Sequence, residues 1–148
     1  MSEEVEKIIS EKKEALIQAA IQAKSKTHSP YSHFPVGASV LSENGKVYSG
    51  ANVENASFPV GWCAEVCALS CMLMDGERTI VAAAVSSDMK NGLISPCGKC
   101  RQALFEFQKP NTKCPIFLIN NSNEAKEISL NELLPFSFIG SSLTDHEK

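Results

Sequence analysis

Thr79-Ile80-Val81-Ala82-Ala83-Ala84-Val85-Ser86 is an unbroken run of apolar and small side chains, bounded by Arg78 on one side and Ser87-Asp88 on the other. A strand with one wet face alternates polar and apolar residues, whereas a continuous run of this length suits a strand covered on both faces. A sheet covered on both faces needs helices above and below it, so this segment sets the fold class. Downstream, Ser95-Pro96 is a helix start signal, and Cys97 to Phe107 reads as the helix it opens. Pro115 to Ile119 is a second buried strand, and a short helix around Leu130 to Leu134 must stop before Pro135. Upstream, Cys63 to Met74 is apolar nearly all round and long enough for a buried helix. Val36 to Leu41 and Lys46 to Asn52 flank Ser42-Glu43-Asn44-Gly45 and read as a hairpin turning on Asn44-Gly45. Val5, Ile8, Ile9, Leu16, Ala19, Ala20 and Ala23 recur at helical spacing, which predicts a helix over 3–25 that Pro30 prevents from running on. The expected architecture is α/β: a three-layer α/β/α sandwich, one mixed sheet with helices on both faces, in a single domain spanning 1–148.

At 148 residues one domain should bury roughly two thirds of its unfolded surface, enough for one sizeable core. The net charge is -3, and no run of Lys or Arg exceeds Lys12-Lys13. A protein that lives on phosphate backbones carries a basic face, so nucleic acid is not an expected partner. The start of the chain is dense in Glu and Lys, from Glu3 to Glu14, and holds no apolar signal core. No stretch reaches the roughly 18 apolar residues that span a bilayer. A cytoplasmic protein with no membrane partner is therefore expected. Its six cysteines then read as reduced thiols serving metal or catalysis rather than disulfides.

Two cysteine segments carry the chemistry: Cys63-Ala64-Glu65 and Pro96-Cys97-Gly98-Lys99-Cys100. Cysteines three apart at a helix start put both sulfurs on one side. The unpaired N–H groups and dipole of a helix N-terminus favour a thiolate there, so the same geometry prepares the ligand. Cys63 should open the other buried helix, and two facing helix ends would deliver three thiolates to one point. Three protein ligands leave a fourth tetrahedral position for water, the mark of a catalytic zinc. Glu65 is too close to Cys63 to be an easy fourth ligand and is well placed to reach that water. A closed four-cysteine site that adds Cys67, one turn after Cys63, stays open as an alternative. Otherwise Cys67, Cys71 and Cys114 read as small buried apolar residues. His28, His33 and His146 carry no pattern of their own: the first two read as loop or surface residues, and His146 sits in a polar tail.

From about Tyr31 to Gly140 the chain resembles the tetrameric cytidine deaminases, in which a Cys-Ala-Glu or His-Ala-Glu word precedes Pro-Cys-x-x-Cys. The matching words are Pro-Tyr-Ser-His-Phe-Pro-Val-Gly-Ala at 30–38, Asn-Val-Glu-Asn-Ala-Ser at 52–57, Cys-Ala-Glu at 63–65, Ser-Pro-Cys-Gly-Lys-Cys-Arg-Gln at 95–102 and Glu-Leu-Leu-Pro-Phe-Ser-Phe at 132–138. The resemblance implies a five-stranded sheet, one Zn²⁺ per chain held by Cys63, Cys97 and Cys100, and hydrolytic deamination of cytidine and deoxycytidine in pyrimidine salvage. It implies Glu65 as the catalytic proton carrier. It also implies a nucleoside held by Phe34, Asn52, Glu54 and Ala64, with Phe138 lent by a neighbour in a homotetramer with shared active sites. An amide and a carboxylate two apart on a strand point to the same face, so Asn52 and Glu54 can share one ribose hydroxyl. One residue departs from the pattern: Val66 stands where many relatives carry arginine. Three thiolates and Zn²⁺ sum to 2 − 3 = −1, leaving helix dipoles or Arg101 to compensate. An aminonucleoside-antibiotic deaminase of the blasticidin type shares the metal words, and Val66 keeps a catalytically silent zinc scaffold in play. Asn52-Val53-Glu54-Asn55 favours an ordinary ribose over the first, and Glu65 argues against the second. A polynucleotide editor is disfavoured by the acidic charge and by the short chain.

Overall fold

A computed structural model describes residues 2–143; His146 lies outside them. The chain opens with α1, Glu3–Ala23, whose first turn is capped by the Ser2 side chain accepting from Val5 N. The helical course continues as a 3-10 turn, Lys24–Lys26. Then come β1 (Val36–Ser42), β2 (Val47–Ala51), α2 (Ala64–Met74), β3 (Ile80–Ser87), α3 (Gly98–Glu106), β4 (Pro115–Ile119), β5 (Ala125–Ser129) and α4 (Leu130–Leu133).

The strands form one sheet in the order β2-β1-β3-β4-β5. β3 and β4 pair in parallel, through the crossover that contains α3, and the other pairs are antiparallel. The sheet is therefore mixed, as expected. Every residue of β3 is buried, which explains why its sequence does not alternate. On one face, Leu16 and Ile17 of α1 pack on Leu41, Val81 and Phe117. On the other, Leu69 and Met72 of α2 and Leu104 of α3 pack on Val40, Ala83 and Leu118. These three layers place the N-termini of α2 and α3 on the same face of the sheet.

Three local expectations need correction. The hairpin does not turn on Asn44-Gly45 alone: Gly45 N donates to Ser42 O at 3.0 Å and Ser42 N to Lys46 O at 2.9 Å, a three-residue loop. Only Gly45 is left-handed there (φ 79°), whereas the two-residue turn needs both central residues so. The edge strand β5 has no counterpart among the strands expected from residue patterns. Its sequence, Ala-Lys-Glu-Ile-Ser, is mostly exposed and shows no apolar run. Finally, α2 is not buried all round. Ser70, Cys71 and Met74 are exposed and Val66 and Cys67 half-buried, so Cys71 is not the buried apolar residue its type suggests. Cys114 is, and burial pushes its thiol up to about 12.

Helix and sheet approach most closely at two glycines. A Cβ on Gly37 would lie 2.1 Å from Ala20 O of α1, and one on Gly50 would lie 2.4 Å from Ala68 N of α2.

Candidate metal centre

Cys63 and Cys97 are each the N-cap residue of a helix, with extended backbones (φ −82°, ψ 156° and φ −65°, ψ 167°). Neither sulfur caps its own helix, so both are free to turn outward toward a common point. Cys100 lies in the first turn of α3, fully buried. The three sulfurs lie within 4.8 Å of one another. Cys63 and Cys97 are 3.9 Å apart, and Cys97 and Cys100 3.5 Å. Sulfurs about 2.3 Å from one tetrahedral zinc stand about 3.8 Å apart, so the thiols already hold the spacing of three such ligands.

The charges point the same way. The Cys100 thiol, hydrogen-bonded to Cys63, draws the Cys63 thiol down to about 6, with Cys97 and Lys99 helping. Cys100 is pushed far up by its contact with Cys63, by burial and by the neighbouring Glu65. Without a cation the Cys63–Cys100 pair therefore ionises once at most near neutrality. A dication would offset the repulsion from Glu65 and Cys63 that opposes ionisation of Cys100.

Glu65, in the first turn of α2, is 5 % exposed, and burial raises its carboxyl above the usual range. Its Oε2 accepts from Cys100 Sγ at 3.4 Å. The carboxyl thus stands beside the thiols, outside the set of three. Among the described residues Cys67 does not join that set and lines a separate hollow on α2 with Trp62, Val66 and Met74. The closed four-cysteine alternative is therefore not formed.

A cavity of about 610 Å³ opens onto this point, with Cys63, Ala64, Glu65 and Cys97 in its walls. Asn52 and Glu54 line it too, although β2 ends at Ala51 and both lie in the loop beyond it rather than on the expected strand. Both also brace the 27–36 segment, which sequence reasoning did not foresee. Asn52 Oδ1 accepts from Val36 N at 2.9 Å, and its Nδ2 donates to Phe34 O at 3.0 Å. Glu54 Oε2 accepts from Tyr31 N at 2.9 Å and Ser32 N at 3.1 Å, while Oε1 accepts from the Ser32 hydroxyl. The Ser32 contacts hold the Glu54 carboxyl below its usual range, ionised at neutral pH. Tyr31 and Phe58 meet edge to face at the rim, ring centres 5.9 Å apart. Phe34 and Phe138 do not line the cavity of this chain: Phe34 is half-buried beside it, and Phe138 is 59 % exposed on the C-terminal segment.

Val66 faces the hollow on α2 and brings no charge to the thiols. Arg101 comes nearer. Its Nε donates to Pro96 O at 2.7 Å and its Nη2 to Ser95 Oγ at 2.6 Å, fixing the turn that leads into Cys97. None of the described ion pairs includes it. Among the described residues its guanidinium therefore has oxygen partners that carry no charge.

Comparison with known proteins agrees with this geometry. The family model of the cytidine and deoxycytidylate deaminase zinc-binding region matches residues 10–115. A cytidine deaminase of Halalkalibacterium halodurans is 41% identical over 133 residues, 90% of this chain and 98% of its own. One from Sporosarcina psychrophila is 41% identical over 135 residues, 91% of each chain. The crystal structure of a cytidine deaminase from Burkholderia pseudomallei superposes with a TM-score of 0.78 at 42% identity, covering 84% of this chain and 98% of that one. None of the described helices is long and apolar enough to cross a membrane. With the thiol spacing, the family match and relatives covered over nearly their whole length all in agreement, the chain belongs to the zinc-dependent cytidine deaminases.

Proposed function

We propose that this chain converts cytidine and deoxycytidine to uridine and deoxyuridine by hydrolysis, with Cys63, Cys97 and Cys100 as zinc ligands and Glu65 as the proton carrier. The observation that carries the reading is a buried carboxyl, Glu65, 3.4 Å from a clustered thiol in the wall of an open cavity. When bound, zinc supplies the positive charge that makes water a competent nucleophile near neutral pH.

The chain's own groups do the rest. Burial raises the proton affinity of Glu65, so its Oε2 can take a proton from the attacking water and pass it to N3 of the ring, then take the second proton from the hydroxyl now on C4 and give it to the departing amino group, which leaves as ammonia. One carboxyl serves as base and acid in turn because its raised affinity brings it closer to the operating pH. Ala64, fully buried at the start of α2, brings main chain against the base. Glu54 Oε1 keeps acceptor capacity for a ribose hydroxyl after taking the Ser32 hydroxyl. Asn52 Nδ2 has one hydrogen committed to Phe34 O and a second to give. Phe34 flanks the pocket through the segment that Asn52 braces.

The same reading takes 1–148 as one domain that works as a cytoplasmic homotetramer in pyrimidine salvage, with Phe138 completing a neighbour's pocket. An exposed ring on the C-terminal segment supports this, since the chain's own cavity does not use it. Glu65→Gln tests the proton carrier. It should keep one zinc per chain and lower kcat by about 10²–10⁴. Parent turnover in that variant would remove Glu65 from the mechanism.

A further inference from the structure

The helix that offers two of the candidate zinc ligands also grips the C-terminal segment. Directly after Cys100, Arg101 Nη1 donates to Leu133 O at 3.0 Å and Gln102 Nε2 donates to Phe138 O at 2.9 Å. Two consecutive residues of α3 thus hold both ends of the stretch 133–138. Arg101 is itself immobilised by Pro96 O and Ser95 Oγ, so the anchor continues into the turn before Cys97.

Between the anchors the chain arches outward. Pro135 has no N–H to tie it down. Phe136 has φ 55°, a region that L side chains disfavour, and its ring is fully exposed. Phe138 follows, also exposed. Neither ring lines the cavity of its own chain. A disfavoured backbone and two exposed rings, pinned at both ends, form a prong prepared for a surface elsewhere. The apolar wall of a second copy's nucleoside cavity is a surface of the right chemistry, because bases stack on aromatic rings.

We propose that Arg101 and Gln102 are positioning residues that act across a subunit boundary: they lock 133–138 onto α3 so that the aromatic arch enters the cavity of a second copy of this chain. The inference rests on the shared-pocket reading above and adds to it the device that aims the rings, together with a role for Phe136. It also links each chain's metal helix to its neighbour's substrate pocket through two hydrogen-bonded pairs, Arg101 with Leu133 and Gln102 with Phe138.

Gln102→Glu keeps the shape of the side chain but offers Phe138 O no donor. It should raise KM for cytidine about three- to tenfold, the worth of one hydrogen bond, while kcat, zinc per chain and sedimentation stay at parent values. Gln102→Lys restores a donor and should recover most of the loss, which a merely structural role would not show. Boundary crossing is read in mixed assemblies, made by co-expressing Glu65→Gln and Gln102→Glu chains under two affinity tags. A component with parent KM is expected there, because intact arches from Glu65→Gln chains serve active centres in Gln102→Glu chains. Mixed assemblies with only the raised KM would place the arch in its own chain's pocket and overturn the crossing. An unchanged KM in Gln102→Glu itself would remove the positioning role and leave the shared pocket standing. A fully active monomer in sedimentation would remove the shared pocket, and the inference with it.

Discussion

At Gly50, β2 runs so close under α2 that a Cβ would sit 2.4 Å from Ala68 N, 2.7 Å from Ala64 O and 2.7 Å from Cys67 Cβ. Two of these neighbours are main-chain atoms of a packed helix and cannot swing aside as a side-chain end can. Van der Waals contact for such pairs begins near about 3.4 Å, so Gly50→Ala must drive α2 outward by about 1 Å. The turn displaced is the one that begins at Cys63 and holds Glu65. Overpacking of this kind costs about 1–3 kcal/mol. For a chain of this size that lowers Tm by roughly 3–10 °C. A displacement of about 1 Å at a reacting geometry costs on the order of 10²-fold in rate, so kcat should fall further than stability alone explains. Scanning calorimetry, zinc analysis and initial rates on one preparation separate the terms. Gly98→Ala, in the first turn of α3, is the control: its Cβ would meet nothing within 4 Å, so stability should hold or rise by up to about 1 kcal/mol. Parent Tm and parent kcat in Gly50→Ala would show that this contact does not seat the helix, and the argument from close approach would fail.

Other expectations follow from the thiols and the carboxyl. Cys97→Ala should lose zinc and activity together, whereas Cys67→Ala should keep about one zinc per chain; loss of zinc from Cys67→Ala would restore the closed site. In zinc-free protein Glu65 holds its proton more tightly when folded than when unfolded, because burial raises its carboxyl above 4.5. Its contribution to stability is therefore full below about pH 4.5 and is lost as pH rises through the higher folded value. Zinc-free Glu65→Gln should accordingly melt above the zinc-free parent at pH 7, and the difference should vanish below about pH 4.5; equal melting at pH 7 would contradict the buried-carboxyl account.

Much of this was legible in the residues, for physical reasons. β3 and β4 are covered on both faces, so their sequences had to be continuously apolar, and they read as strands on sight. The metal words were equally plain, because thiols at helix N-caps require a fixed spacing. β5 was hidden because an exposed edge strand needs neither alternation nor an apolar run, and Lys126 and Glu127 suit such an edge. The open face of α2 misled because Cys and Met count as apolar whether or not anything covers them. Long-range hydrogen bonds were out of reach. Nothing near Arg101 in the sequence points to Leu133, and nothing near Glu54 points to Ser32. Gly50 did carry a signal, since a glycine inside a strand marks a close backbone approach.

The central claim is that three thiols and one buried carboxyl make a zinc-dependent nucleoside deaminase. Incubation of the purified protein with cytidine, followed by the absorbance change and by ammonia release, tests it most directly. The account predicts stoichiometric uridine and ammonia, loss of turnover when a chelator strips the metal, and recovery when Zn²⁺ is restored. Undiminished turnover in protein shown to be free of zinc, or no turnover in protein carrying one zinc per chain, would contradict it.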